Sequence, residues 1–420
     1  MRNISISDKV SENKITFRLE VSDSLKKYFL SKELTVEYDV NIEEVNEGIV
    51  VIPALSTVIP IAWATGADVT IKYADSDYLK SLDVVKSVFR KWFSQFSFST
   101  KINVEKFITN KIHGDKCALL FSGGVDSLAS YVRNKGKVTD LISIWGLDIP
   151  TYKVRLWNMV RGNLADFAKN ENVNVHFIKT NAREIIDDKV LSRDYRVNGW
   201  WGRVGHGLIT LGLCAPLTIK REIGQIIISS THTKDFNEPW GSDPLIDNNI
   251  SWAGVKILHD GYELSRQEKI KILRKHPRYL PYLRSCIIEY NCGHCIKCLK
   301  TIVGLVLEDI DPKICNFPVN AKTFSFIREL FMKRALELDS EWLFFWRDIQ
   351  KNIPGKIDGK LYGSEGFFRW FKQFDLQNYK PRKHARAIKL CCLAKYRGVK
   401  WITYYALKEL LTKCKACILR

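Results

Sequence analysis

The sequence predicts an α/β protein built on a doubly wound parallel sheet, with an N-terminal α+β domain and a C-terminal helical, basic extension. Three observations carry this expectation. Between Gly114 and Asp311, short apolar runs alternate with helix-like stretches, the pattern of parallel strands joined by helical crossovers. Before Gly114, apolar and polar residues alternate with the period of half-buried strands. After Asp311 the chain is helical in pattern and rich in Lys and Arg. At 420 residues, and roughly one domain per 150 residues, three domains are expected, at 1–113, 114–311 and 312–420.

In the first domain, Lys14–Val21 (KITFRLEV) and Leu34–Val40 (LTVEYDV) read as strands. Ile49–Ile61 holds two apolar runs broken by Pro53 and Pro60 and reads as edge or irregular strand. Asp83–Phe96 sets its apolar residues at helical spacing. No catalytic constellation stands out here, so a structural or docking role is expected. In the second domain, Cys117–Phe121, Leu141–Trp145, Val173–Lys179 and Gln225–Ser229 read as strands, and Val154–Lys169 and Gly207–Leu217 as helices, the latter buried. Ligands of such sheets bind beyond the C-terminal ends of the strands. In the third domain, Phe344, Phe345, Trp346, Phe367, Phe368, Trp370 and Phe371 are expected in the core.

Apolar residues make up 46% of the chain, enough for a sizeable core and too many for global disorder. The N-terminal stretch MRNISISDKVSENKITF has no apolar run of the signal-peptide kind. The longest apolar stretch, near Gly207 to Ile219, is too short to span a bilayer and is broken by Pro216. A soluble, cytoplasmic protein with no membrane partner is therefore expected. Its thiols would be reduced, and a crowd of cysteines then reads as metal ligands before disulfides. The net charge of +19 favours polyanionic partners without specifying one. The excess concentrates near the C-terminus, where residues 376–420 hold twelve Lys/Arg and one acidic residue, Glu409.

The segment CALLFSGGVDSLASYV is the most informative in the chain. It reads as strand, glycine-rich turn, helix. Gly123 and Gly124 let the backbone bend and approach an anion with no Cβ in the way. The amides of the turn, through Val125, and of the following helix start converge on one spot. Ser122 and Ser127 add hydroxyl donors, and Asp126 can cap the helix or reach a phosphate-bound Mg²⁺. The segment resembles the PP-loop (SGGxDS) family of ATP pyrophosphatases, of the adenine nucleotide α-hydrolase, or HUP, fold. That resemblance implies ATP as cofactor, with Mg²⁺, and cleavage between its α and β phosphates. An acceptor oxygen attacks the α-phosphate, pyrophosphate leaves, and ammonia, an amine or sulfur then displaces AMP. It further implies that Trp145 and Gly146, after the second strand, grip adenine, and that a cation assists the phosphates. Glu263–Ile270 is similar to the family's lysine-bearing helix start, and implies catalytic roles for Arg266 and Lys269. Their alternative is a solvated helix face.

Cys286, Cys292, Cys295 and Cys298 form C-x₅-C-x₂-C-x₂-C. Four thiolates in so short a span can close a tetrahedron around one Zn²⁺, with Gly293 permitting the turn. An iron–sulfur cluster suits the spacing as well, and unligated core cysteines are the third reading. His294 lies inside the knuckle and is expected to point outward.

A PP-loop followed by CGxCxxC is similar to 7-cyano-7-deazaguanine synthase and its relatives, over roughly residues 115–305. Together with about a hundred extra residues at each end, this resembles the synthase-like proteins of antiphage defence and other accessory clusters. The resemblance implies a ligase that adenylates a carboxylate acceptor, such as a 7-deazaguanine acid or another purine-like molecule, and then amidates or conjugates it. A non-catalytic ATP- or purine-binding subunit and a tRNA-thiolating enzyme are the alternatives. Acceptor-side candidates are Asn198–Gly207, with His206, and Ser229–Asp235, with His232, both Gly-rich or strand-terminal. Near the C-terminus, Arg382, Lys383, Arg386, Lys389, Lys395, Arg397 and Lys400 interleave with Tyr396, Trp401, Tyr404 and Tyr405. That pattern suits a nucleic acid, but no RNA-binding motif accompanies it, so a protein partner is expected through this region. Cys391, Cys392, Cys414 and Cys417 are expected to be helix-core residues rather than a second metal site.

Overall fold

The computed structural model describes residues 2–112, 114–357 and 359–397. The chain divides into two compact units, Met1–Glu263 and Leu264–Arg420. The first is α/β and holds ten strands in one mostly parallel sheet. In chain order they are β1 (Asn3–Ser11), β2 (Lys14–Val21), β3 (Glu33–Tyr38), β4 (Asp68–Asp75), β5 (Ile102–Ile108), β6 (Lys116–Leu120), β7 (Asp140–Trp145), β8 (Asn174–Thr180), β9 (Ile223–Ser229) and β10 (Lys256–Asp260). Across the sheet the order is β10-β9-β6-β7-β8-β3-β2-β1-β4-β5.

The five strands from β6 to β10 all run parallel to one another. They alternate with helices, as the apolar spacing predicts. β6 is central in this half. From it the chain steps to β7 and β8 on one side, then returns to β9 and β10 on the other. This reversal of direction falls at β6, and the C-terminal end of the strand at such a point is the usual ligand site of doubly wound sheets.

The expected separate N-terminal domain is instead part of this sheet. β3 pairs antiparallel with β8, with Val36 opposite Thr180 and Tyr38 opposite Ile178. The Tyr38 hydroxyl donates to the Leu213 carbonyl at 3.0 Å, and the Thr35 amide donates to Asn181 Oδ1 at 2.8 Å. Without β3, β8 would expose an edge of unpaired amides and carbonyls. One apolar core then runs through both halves, from Ile4 and Phe17 to Ile226 and Val255.

Ile49–Ile61 is not strand. It forms a short turn of helix at Glu47–Val50 and most of the helix Ile52–Thr65, every residue of which is buried. A helix buried all round shows no polar stripe, so its apolar run mimics a buried strand. Pro53 sits in the first turn, where no amide is missed. Pro60 lies inside, and the Ser56 and Thr57 hydroxyls bond the Ile52 and Pro53 carbonyls, both at 2.7 Å. The buried helix expected over Gly207–Leu217 is two, His206–Gly212 and Ala215–Arg221, the second with Pro216 in its first turn.

The second unit is helical, with helices at Arg266–Arg274, Ile296–Leu307, Thr323–Met332, Ser340–Lys351, Glu365–Gln373 and Ala385–Arg397. The expected boundary at 311/312 lies within it. The reason is packing inside the unit: the Gln267 side chain donates to the Gly304 carbonyl and to Glu308, at 2.9 and 2.8 Å, and its amide donates to Asp348 at 2.9 Å. Residues 264–311 are thus tied to the aromatic core of 312–397, where Phe345, Trp346, Phe367, Phe368 and Phe371 are buried as expected. Phe344 and Trp370 are half-buried. No helix among the described residues is long and apolar enough to cross a membrane.

Candidate active site and metal centre

The loop Ser122–Ser127 leaves the C-terminal end of β6, where the strand order reverses. Gly123 has φ +73°, a conformation glycine adopts without cost. Gly124 precedes the helix Val125–Asn134, and no side chain among the described residues caps that start. The first amides of a helix have no partner within it, and its dipole favours negative charge there. The loop is braced from inside: the Gly124 amide donates to Ser122 Oγ at 3.3 Å, and Ser127 Oγ donates to the Gly124 carbonyl at 3.2 Å. Ser122 is exposed, Ser127 buried and Asp126 half-buried, with one carboxylate oxygen shut off from solvent. The arrangement can hold an anion.

The loop's helix is anchored to the end of β10. Ser130 Oγ donates to Asp260 at 2.6 Å, and Arg133 bridges Asp260 and Glu263 at 3.3 and 2.6 Å. Burial draws the Arg133 pKa down, but those two carboxylates outweigh it and hold the guanidinium above its ordinary value.

Trp145 and Gly146 close β7. The Gly146 amide donates to the Ile149 carbonyl at 3.0 Å, and the Trp145 indole to the Pro150 carbonyl at 3.1 Å. Gly146 has φ +105°, and a Cβ there would fall 1.6 Å from the Thr180 carbonyl oxygen. These donors therefore shape the turn 146–150, while the Trp145 ring stacks on Trp157 at 5.5 Å.

The expected acceptor-side stretches meet after β9. Arg203 is buried, donates to the Pro239 carbonyl at 3.1 Å and pairs with Glu238 at 2.6 Å. Its guanidinium lies over Phe236 and Trp240, and His232 stacks on Phe236 with ring centres 4.0 Å apart. Gly202 leaves room for the Trp240 ring, and Gly207 for Asp247. His206 lies edge-on to Trp201. Ser229 ends β9, its hydroxyl closed off from solvent.

Arg266 and Lys269 lie in the second unit, on a helix opened by a reciprocal Ser265–Glu268 cap. Arg266 reaches Thr301 Oγ1 at 3.5 Å and lies over Phe345. Lys269 is 2% exposed, so the pair is not a solvated helix face.

The four cysteines also belong to the second unit, rather than to the phosphate-loop unit where they were expected. All four are buried, and their sulfurs lie within 4.8 Å of one another. Sγ of Cys286 is 3.7 Å from that of Cys295, and Sγ of Cys292 is 3.8 Å from that of Cys298. Sulfurs about 2.3 Å from one central ion, at tetrahedral angles, stand about 3.8 Å apart. The group can hold a metal such as zinc. A four-iron cluster would need its thiolates spread around a larger body. The Ile288, Glu289, Cys295 and Cys298 amides donate to the sulfurs at 3.3–3.5 Å, which stabilises thiolate charge. Asn291, with φ +55°, ties the knuckle to the Leu283 and Cys315 carbonyls at 2.8 and 2.7 Å. His294 is directed elsewhere, its Nδ1 against the Cys292 carbonyl at 2.8 Å and Arg397 at 2.9 Å.

Part of the basic region is structural. Tyr396 stacks on Phe326 and bonds Thr323, and Arg386 pairs with Glu337 at 2.8 Å. Cys392 is buried and Cys391 half-buried. Lys400, Trp401, Tyr404, Tyr405, Glu409, Cys414 and Cys417 lie outside the described residues. One arrangement had no sequence signal: Asp247 Oδ2 accepts from Ser242 Oγ at 2.6 Å and meets His259 Nδ1 at 2.7 Å. No spacing rule marks three lone polar residues on a loop, a short helix and a strand.

Compared with family models, curated proteins and solved structures, the chain matches none.

Proposed function

We propose that the protein is an ATP-dependent ligase of the PP-loop type, which adenylates a carboxylate acceptor with release of pyrophosphate and then joins it to ammonia or an amine. The observation that carries this reading is the Ser122–Ser127 loop at the C-terminal end of β6, where the strand order reverses. Loop amides and the two serine hydroxyls would receive the pyrophosphate, whose charge grows as it leaves, and groups already aimed at that charge lower the barrier. Asp126 would hold Mg²⁺, which neutralises phosphate charge when bound. The place proposed for an acceptor of 7-deazaguanine acid type is the aromatic stretch after β9, over which Arg203 lies. Zinc is the metal proposed for the four cysteines, in a structural role, since four thiolates leave no open position.

The test is product analysis with ATP, Mg²⁺ and 7-carboxy-7-deazaguanine: AMP and pyrophosphate are expected. Formation of ADP and phosphate instead would refute the reading. Asp126→Asn is expected to abolish turnover while the melting temperature stays near that of the unaltered protein.

We assign the basic residues beyond Gly398 to a protein partner, in keeping with the net charge and with no RNA-binding motif in the sequence. We further propose a cytoplasmic protein of a bacterial defence or modification system, the setting implied by the resemblance to synthase-like proteins of accessory clusters.

A further inference from the structure

The carboxyl ends of β9 and β10 bring together three polar groups outside the phosphate loop: Ser242, Asp247 and His259. The Asp247 side chain is 0% exposed and that of His259 1%. Asp247 Oδ2 takes two hydrogen bonds, from Ser242 Oγ and from His259 Nδ1. An ionised carboxylate only accepts, so Nδ1 carries a proton, and in the neutral tautomer that this selects Nε2 keeps its lone pair. That Nε2 has no hydrogen-bond partner among the described residues, and neither has Asp247 Oδ1. A buried polar atom left this way asks for an explanation, and a catalytic role is one.

The dyad is held in place. The His259 amide donates to Asn248 Oδ1 at 2.7 Å. A Cβ on Gly207 would fall 2.3 Å from Asp247 Oδ1, so glycine there makes room for the carboxylate. Asp243 and Tyr262 stand beside the pair, Tyr262 with its ring 5.9 Å from that of His259.

Position gives the dyad its meaning. His259 is the next-to-last residue of β10, at the same sheet edge as the phosphate loop. β9 alone separates β10 from β6, so the strands that carry the two features are about 10 Å apart, two strand spacings. A bound triphosphate and the acceptor it activates span such a gap. Asp260 turns to the face of the loop's helix, where it meets Ser130. His259, its neighbour in an extended strand, turns to the other face, the one that carries Asp247 and the acceptor-side stretch.

We infer that His259, oriented by Asp247, is the general base of the transfer step, an inference that rests on the ligase reading. The attacking nitrogen forms its bond to the acyl carbon and the bond from that carbon to the adenylate oxygen breaks. AMP leaves with the electron pair, and the proton the nitrogen must shed passes to His259 Nε2. Asp247 is a positioning residue: it holds the tautomer and stabilises the imidazolium that forms.

The experiment separates the two half-reactions. Exchange of labelled pyrophosphate into ATP, driven by 7-carboxy-7-deazaguanine, reports adenylation. Amide formation with ammonium chloride reports transfer. His259→Asn keeps a donor for Asp247 but removes the base. It is expected to leave exchange within about threefold of wild type and to slow transfer by about 10²–10⁴-fold, while hydroxylamine, a neutral and stronger nucleophile, still traps the acyl group. Loss of exchange and transfer together, or of neither, would overturn the inference. Nitrogen-15 shifts of the imidazole give a readout without turnover: an unprotonated Nε2 is expected in wild type and a redistributed tautomer in Asp247→Asn. A protonated Nε2 in the wild-type protein would also overturn it. Wild-type protein with no acceptor-driven exchange would instead refute the ligase reading itself.

Discussion

Removing the metal from the cysteine knuckle should unfold it, and the size of the effect follows from the geometry. Four buried sulfurs lie within 4.8 Å of one another, with Cys286–Cys295 at 3.7 Å and Cys292–Cys298 at 3.8 Å, the spacing that one ion about 2.3 Å from each would require. Without an ion, four thiols would crowd a site that offers them only weak S–H hydrogen bonds. Structural zinc sites of this kind contribute about 10–16 kcal/mol at neutral pH, against about 5–15 kcal/mol for the net stability of a whole domain. Chelation should therefore lower the melting temperature of the second unit steeply. Cys298→Ser, at a position with no exposure, should do the same without chelator. Elemental analysis is expected to find about one zinc per chain, and X-ray absorption a shell of four sulfurs at about 2.3 Å. A short metal–metal distance, or a melting temperature unmoved by chelation, would refute the reasoning.

Three further outcomes are expected. Gly146→Ala places a Cβ 1.6 Å from the Thr180 carbonyl at φ +105°; it should cost more than the roughly 1–3 kcal/mol of backbone strain alone, measured by denaturant unfolding. His176 is buried between Asp140 at 2.9 Å and Asp39 at 3.6 Å. Burial pulls its pKa down, but the two carboxylates outweigh this and raise it above the ordinary value. A raised folded-state value means its contribution is complete below about pH 6.5 and fades as pH rises through that value, so the stability gap between wild type and His176→Asn should narrow on going from about pH 6 to about pH 9. Truncation after Arg397 spares the packing of Tyr396 on Phe326; it should abolish partner capture and leave zinc and melting temperature unchanged, whereas salt-sensitive tRNA binding lost with the same residues would favour a nucleic-acid partner.

Local chemistry made much of this protein legible in its sequence. The loop Ser122–Ser127 and the four cysteines are contiguous motifs, whose function requires residues near one another in the chain. Strands with clean alternation, such as Lys14–Val21, were equally plain because one face meets the core and the other meets solvent. Tertiary structure decided the rest. β3 joins β8 by backbone pairing between residues 142 positions apart at Glu37 and Lys179, and backbone amides carry no sequence signature. The helix Ile52–Thr65 is buried on every side, so nothing in its polarity distinguished it from a strand. The knuckle joined the second unit because Gln267 and Asn291 found their partners there. Asp247 and His259 meet only when a short helix folds against the end of β10. Such pairings depend on which surfaces are left to be covered once all the elements exist, and that is a property of the whole chain rather than of any segment.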